Sequence, residues 1–225
     1  MEHPILFLDV ILGNFGIHIP PHVTYSWVVM LLLLGLGMLA TRRIALVPGG
    51  GQNVFELVIG GLEEFMVEIT GEEGRAFYPY IATVFLYIMF CNLIGLIPGF
   101  LSPTSNINTT LSLALLTFVY THYLGVKYHG AKYIKHFLGP IPALAPLFLP
   151  IEIIGHVARV LSLTLRLFGN IMGEDLVLAI LLFLAGMFLA PLPMMFLAVF
   201  TSVVQAFVFT LLSMMYFAGS MEHAH

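Results

Sequence analysis

Apolar residues in this chain fall into long runs, and the polar positions that interrupt them are few and patterned. From about Thr24 to Thr41 the run is apolar on every side, entered through Pro20-Pro21 and closed by Arg42-Arg43. At about 1.5 Å per residue it is long enough to cross a bilayer as a helix. Pro48 and Gly49-Gly50-Gly51 then break the chain. Between about Gln52 and Thr70, Glu56, Glu63, Glu64 and Glu68 alternate with apolar positions. That pattern predicts an amphipathic helix on the membrane surface or against a partner, not a span. A second span runs from about Pro79 to Ile97, and the polar loop from Ser102 to Asn108 leads to a third from about Thr109 to Val126. Lys127, Lys132 and Lys135 follow it. A proline-studded connection from Gly139 to Pro150 precedes a polar-striped helix from about Ile151 to Asn170. Apolar helix resumes from Asp175 to Ala190, and Pro191-Leu-Pro193 turns the chain into a last helix ending near Gly219.

Composition agrees with this pattern. Of 225 residues 60% are hydrophobic and 9% charged, where a soluble domain carries about a quarter charged residues. Mean hydropathy is +1.01. The expected class is an all-α polytopic membrane protein of about five to six helices, with no sizeable water-soluble domain. Its parts are a first span (24–41), a surface helix (52–70), a helical hairpin (79–126) and a final polar-striped hairpin (150–219). The net charge of -4 comes without a basic patch, so nucleic acid is not an expected partner. Cys91 is the single cysteine, which excludes an internal disulfide. The opening Met1-Glu-His-Pro carries no basic region, and Gly13-Asn14 breaks the first apolar stretch, so a cleaved signal peptide is not expected. Basic residues favour the cytoplasmic side. Arg42-Arg43 and the Lys127–Lys135 cluster therefore set the N-terminus and the loop near Asn106 outside, and the C-terminus inside.

The last two helices carry the chemistry. Glu152, His156, Arg159, Arg166 and Asn170 fall within about 40° of one line at 100° per residue, with Ser162 and Gly173 beside it. Glu174 continues the stripe, whereas Asp175 points about 100° away. A guanidinium keeps its charge at any accessible pH, and at a bilayer centre it costs about 2.5–3.5 kcal/mol on insertion scales. Such a face must look into water or at a partner; mutual pairing of helices does not require two arginines on one line. The last helix answers with Thr201 and Gln205 at i, i+4, Ser202 beside them and Ser213 further along. Other motifs carry less. His122, His129 and His136 are spaced by seven without a carboxylate or thiol to complete a metal site, and read as interfacial or partner-contacting residues. Gly49-Gly50-Gly51 lacks the following Lys and Ser/Thr of a phosphate loop. No serine has a matched base, so no chemical active site, cofactor or metal is expected.

These residues support a resemblance. Leu165-Arg-Leu-Phe-Gly-Asn170 and Val204-Gln-Ala-Phe-Val-Phe209 resemble the two signature segments of subunit a of F-type ATP synthases. Pro150-Ile-Glu152, Asn92-Leu-Ile-Gly-Leu-Ile-Pro98 and Asn106-Ile-Asn-Thr-Thr-Leu-Ser112 are similar to the family as well, and the likeness runs from about Tyr25 onward. The resemblance implies a proton-translocating stator subunit, non-catalytic within its enzyme complex, in a bacterial inner membrane. Its implied partners are a ring of c subunits each bearing a membrane carboxylate, a b-subunit stalk, the other synthase subunits and lipid.

The resemblance also implies that the final hairpin is long, strongly tilted and laid along the ring. Two aqueous half-channels would reach the ring carboxylate from opposite sides, with Arg166 between them to prevent a short circuit. The implied translocation residues are Arg166, Glu152, His156, Asn170, Glu174, Asp175 and Gln205. Asn92, Arg159, Ser162, Thr201 and Ser202 supply supporting polarity. Ungapped alignment matches Asp175 to the family's outer-side relay while the helical phase favours Glu174, so both are carried forward. The chain departs from many relatives at Ala198, where they have a histidine or acid, and at Gly95, where some have aspartate. The rival function is a stand-alone ion-coupled transporter or channel. An anchor for a soluble partner would fit the Glu56–Glu68 face but leaves Arg166 unexplained.

Overall fold

A computed structural model of the chain describes residues 19–41, 50–97, 99–130, 133, 145–185 and 191–221. Expectations that rest on Arg42, Arg43, Lys132, Lys135 and His136 lie outside those residues. The described residues form six α-helices and no strand. In chain order they are α1 (Pro21–Thr41), α2 (Gly50–Thr70), α3 (Tyr78–Ile94), α4 (Ile107–His129), α5 (Ala145–Ala185) and α6 (Pro191–Met221). Short 3-10 turns at Glu72–Phe77 and Pro103–Ser105 precede α3 and α4. Five segments are long and apolar enough to cross a membrane, and α2 is not among them.

The reason for α2 is its two-faced sequence. Leu62 and Met66, one turn apart, are buried, while Glu56, Glu64 and Glu68 are exposed. Its end is fixed by Gly71, whose φ of 72 is a left-handed value that a side chain disfavours. Arg75 then folds back to Glu72 at 3.0 Å and Glu63 at 3.8 Å; pairs this exposed add little stability.

The helix that meets most of the others is α6, which contacts α2, α3, α4 and α5. One apolar core joins Ile81, Val84, Phe85 and Ile88 of α3 with Leu113 and Ala114 of α4, Leu163 and Leu167 of α5, and Phe209, Met214 and Phe217 of α6. Between apolar helices in lipid the hydrophobic drive is small, so close packing and internal hydrogen bonds hold the bundle. Both are present here. Tyr80 stacks on Tyr120 at 4.7 Å, and its hydroxyl meets that of Thr117 at 3.0 Å. Thr117 and Thr121 of α4 satisfy their own hydroxyls by donating to carbonyls one turn back. Across the bundle, buried Asn92 of α3 donates to the carbonyl of Ser202 in α6 at 3.2 Å.

The polar loop between α3 and α4 is tied to the same place. Thr104 donates to Asn92 Oδ1 at 2.5 Å, Ser102 donates to the Cys91 carbonyl at 2.9 Å, and the two hydroxyls meet at 2.8 Å. Asn106 caps α4 by accepting from the Asn108 amide at 2.9 Å.

Two differences from the sequence reading stand out. The helices expected from Ile151 to Asn170 and from Asp175 onward are one rod, with no interruption at Gly173. This rod also starts before Pro150, inside which the missing amide costs one backbone bond. With 41 residues, α5 is roughly 60 Å long, about twice a ~30 Å hydrocarbon core. It must tilt or protrude to be accommodated.

The loop sets one sharp constraint. A Cβ placed on Gly95 would lie 2.6 Å from Ser102 Cβ and 3.0 Å from the Ser102 backbone nitrogen. Gly95→Ala should therefore lower unfolding stability by about 1–3 kcal/mol, the usual cost of overpacking, and Gly95→Asp by more. Thermal unfolding of the detergent-solubilised protein measures this; an unchanged midpoint for both variants would contradict the contact.

Candidate functional site

The orientation of α5 follows from its anchors. Leu163, Leu167 and Ile171, at i, i+4 and i+8, are buried at 3%, 0% and 2% exposure and press the helix onto the core. Helical phase then turns Ser162, Arg166, Gly169, Asn170 and Gly173 outward, and all five are exposed. Apolar side chains of both hairpin helices flank them, with Leu165, Phe196, Phe200 and Val203 also exposed. Among the described residues Arg166 makes no ion pair.

Beside Arg166 the two helices of the hairpin are joined by a polar contact. Asn170 Nδ2 donates to Gln205 Oε1 at 2.8 Å. Gln205 Nε2 is buried and has no hydrogen-bond partner within the described protein, and a buried donor left in this state costs about 1–3 kcal/mol. Next to it opens a cavity of 420 Å³ lined by Gly169, Asn170, Gly173, Glu174, Thr201 and Gln205, among others. That volume holds several waters. The tetrad of polar groups gives such waters partners, the Gln205 amide included.

The two adjacent acids diverge. Glu174 lines this chamber together with Thr201. Asp175, about 100° round the helix, instead reaches Ser105 in the loop before α4. Ser105 donates to the Ser102 carbonyl at 2.7 Å and so connects to the Asn92–Thr104 network. Asn92 and Ser202 are thus bonded to each other behind the chamber, and Thr201 holds its hydroxyl on its own helix.

Three turns nearer the start of α5 lies a second group. Glu152 Oε1 is 3.3 Å from His156 Nε2, and Arg159 stands over the Tyr216 ring at 5.6 Å. The imidazole of His122, from α4, lies 4.7 Å from that of His156, ring centre to ring centre. His122, His156, Arg159 and Tyr216 line a cavity of only 10 Å³. Tyr133, beyond the end of α4, faces His122 at 6.0 Å. Burial, and then the charge of Glu152, raises its phenol above the ordinary value of 10.0, so it keeps its proton at neutral pH.

The sequence-predicted residues therefore form two clusters rather than one line, with Arg166 between them along α5. Sequence reasoning missed Ser105 and Thr104 as companions of Asp175 and Asn92, and took His122 for an interfacial residue. A histidine in the middle of an apolar helix was the available signal; its partner 34 positions away was not. Among the described residues, no group of three or more His, Cys, Asp or Glu converges to hold a metal ion.

Fold and site together define a multi-pass membrane protein with fixed and titratable charge held at membrane depth on its final hairpin. Residues 23–218 match the family model described as ATP synthase A chain. The chain is 59% identical to ATP synthase subunit a of Syntrophobacter fumaroxidans and 58% identical to that of Desulfosudis oleivorans, each over the full length of both chains. It is 53% identical over the same share to that of Citrifermentans bemidjiense. The chain belongs to the ATP synthase subunit a family.

The Asn170–Gln205 contact yields a test by double substitution. Asn170→Leu and Gln205→Leu should each destabilise the protein, and the double variant should show a coupling of about 0.6–1.7 kcal/mol, the range for interhelical hydrogen bonds in membranes. Unfolding in detergent measures it, and strictly additive effects would remove the contact from consideration.

Proposed function

We propose that this chain is the proton-translocating stator subunit of an ATP synthase, and that Arg166 is the fixed charge that couples proton flow to rotation of a c-subunit ring. The observation that carries this reading is the outward position of Arg166 on α5, at membrane depth and without a counter-ion in the described chain. Lipid is a poor neighbour for a guanidinium; a rotor carboxylate is a good one. At about 4 Å and an effective dielectric of about 20 the pair gains about 4 kcal/mol. That corresponds to a fall of about 3 units in the carboxylate's pKa. The carboxylate releases its proton beside Arg166 and takes one up before it turns into lipid. Because the guanidinium cannot deprotonate, it cannot pass the proton along, and the two sides stay separated.

Two routes supply that carboxylate. The outer route runs through the 420 Å³ chamber, where Glu174, Asn170 and Gln205 organise water and Asp175 draws on the Ser105 loop. The inner route begins at Glu152 and His156 and passes Arg159 and Ser162. This assignment agrees with a topology in which the N-terminus and the Ser102–Asn106 loop are outside and the C-terminus is cytoplasmic, since Asp175 lies against that loop. The length of α5 and its exposed apolar flank suit a tilted rod lying along a ring. A b-subunit stalk completes the stator.

Arg166→Ala should abolish coupled ATP synthesis in membrane vesicles, and wild-type rates in that variant would overturn the mechanism. Glu174→Gln and Asp175→Asn should lower passive proton flux to different extents, because one acid lines the chamber and the other faces the loop. Equal and full flux in both would remove the pair from the outer route. The complex should also carry this chain together with a small c-type proteolipid, as mass measurement of the purified assembly would record.

A further inference from the structure

The two clusters along α5 differ most in the space around them. The chamber beside Gln205 measures 420 Å³, whereas the cavity between α4, α5 and α6 at His156 measures 10 Å³, at the lower limit for a single water. A chain of waters can run through the first. It cannot run through the second, so a proton that crosses through this gap is carried by side chains.

Among the described residues, these titratable and charged groups face the constriction. From α5 come Glu152, His156 and Arg159; from α6, Tyr216; from α4, His122; and from beyond α4, Tyr133. Arg159 cannot release its proton, and Tyr133 keeps its own. Glu152 is already engaged with His156 at 3.3 Å. Only imidazoles take up and lose protons readily around neutral pH, and two of them meet here, their ring centres 4.7 Å apart.

We propose that His122, a residue of α4 outside the signature helices, is a proton-carrying residue of the inner route, exchanging protons with His156 across the constriction. This rests on the reading of the Glu152–His156 cluster as that route. His122 Nδ1 lies 2.9 Å from the carbonyl oxygen of Phe118. A carbonyl only accepts, so Nδ1 carries the hydrogen and Nε2 is the basic nitrogen of the neutral ring. A proton arriving at Nε2 forms an N–H bond and an imidazolium. Its loss to His156, directly or through the one water the cavity admits, breaks that bond and restores neutral His122. No other bond changes, and no oxidant is needed.

The test uses the whole complex in membrane vesicles, comparing wild type, His122→Gln, His122→Phe and His122→Ala. The readout is passive proton conductance of the membrane sector across a range of inner-side pH. Glutamine preserves hydrogen bonding and phenylalanine preserves packing against Phe118, which His122 touches at 4.2 Å between ring centres. Neither titrates near neutrality. Both should conduct several-fold more slowly than wild type with a flattened pH profile, and added free imidazole should restore flux in assembled His122→Ala. Wild-type conductance and pH profile in His122→Gln would overturn the proposal, as would failure of imidazole to restore flux in assembled His122→Ala. The Arg166→Ala synthesis measurement stands apart: its failure would sink the coupling role and leave the conductance result readable.

Discussion

A guanidinium on a long apolar helix has to be balanced by something, and among the described residues none pairs with Arg166. The position is enforced rather than incidental. Leu163, Leu167 and Ile171 bury one side of α5 against the core, so rotating Arg166 inward would expose three aliphatic side chains' packing surfaces and bury a charge among Phe209, Met214 and their neighbours. The same three anchors fix where Asn170, Gly173 and Glu174 point. The layout of the final hairpin, its polar chamber included, thus follows from the decision to keep one permanent charge outward.

The remainder of the bundle acts as the frame for that helix. Helix α6 meets α2, α3, α4 and α5, and the one buried amide of α3, Asn92, ties the loop before α4 to α6 at Ser202. That single residue positions three elements around the Asp175 end of α5. The tightness there is visible at Gly95, where Ser102 already occupies the space a side chain would need.

Much of this was legible from the residues. Unbroken apolar runs foretell the five segments long and apolar enough to span, because lipid tolerates little else, and the acidic spacing from Glu56 to Glu68 foretells the two-faced character of α2. The polar stripes mark α5 and α6 as polar on one side, but they do not name the pair Asn170 and Gln205 that the structure joins. Helical phase separates Glu174 from Asp175, which the structure also does, yet phase alone cannot say what each meets; Ser105 lies on another element. Pro150 and Asn170 look like helix ends in sequence but are interior to α5, because in lipid a continuing helix keeps the remaining backbone groups bonded and loses only one bond at the proline. His122 was the least legible. Its significance depends on α4 and α5 lying side by side, a long-range arrangement that no local pattern encodes.

The unequal cavities have an electrical consequence. Water is highly polarisable, so a wet chamber carries little of the potential drop across a membrane, and a dry constriction carries most of it. If the proposed inner route runs through the gap at His122 and His156, the step between those two rings lies in a less polarisable setting than the chamber beside Gln205. One elementary charge crossing a full 100 mV gains about 2.3 kcal/mol, and on that route the membrane voltage acts more strongly on the step between the rings than on the waters of the chamber.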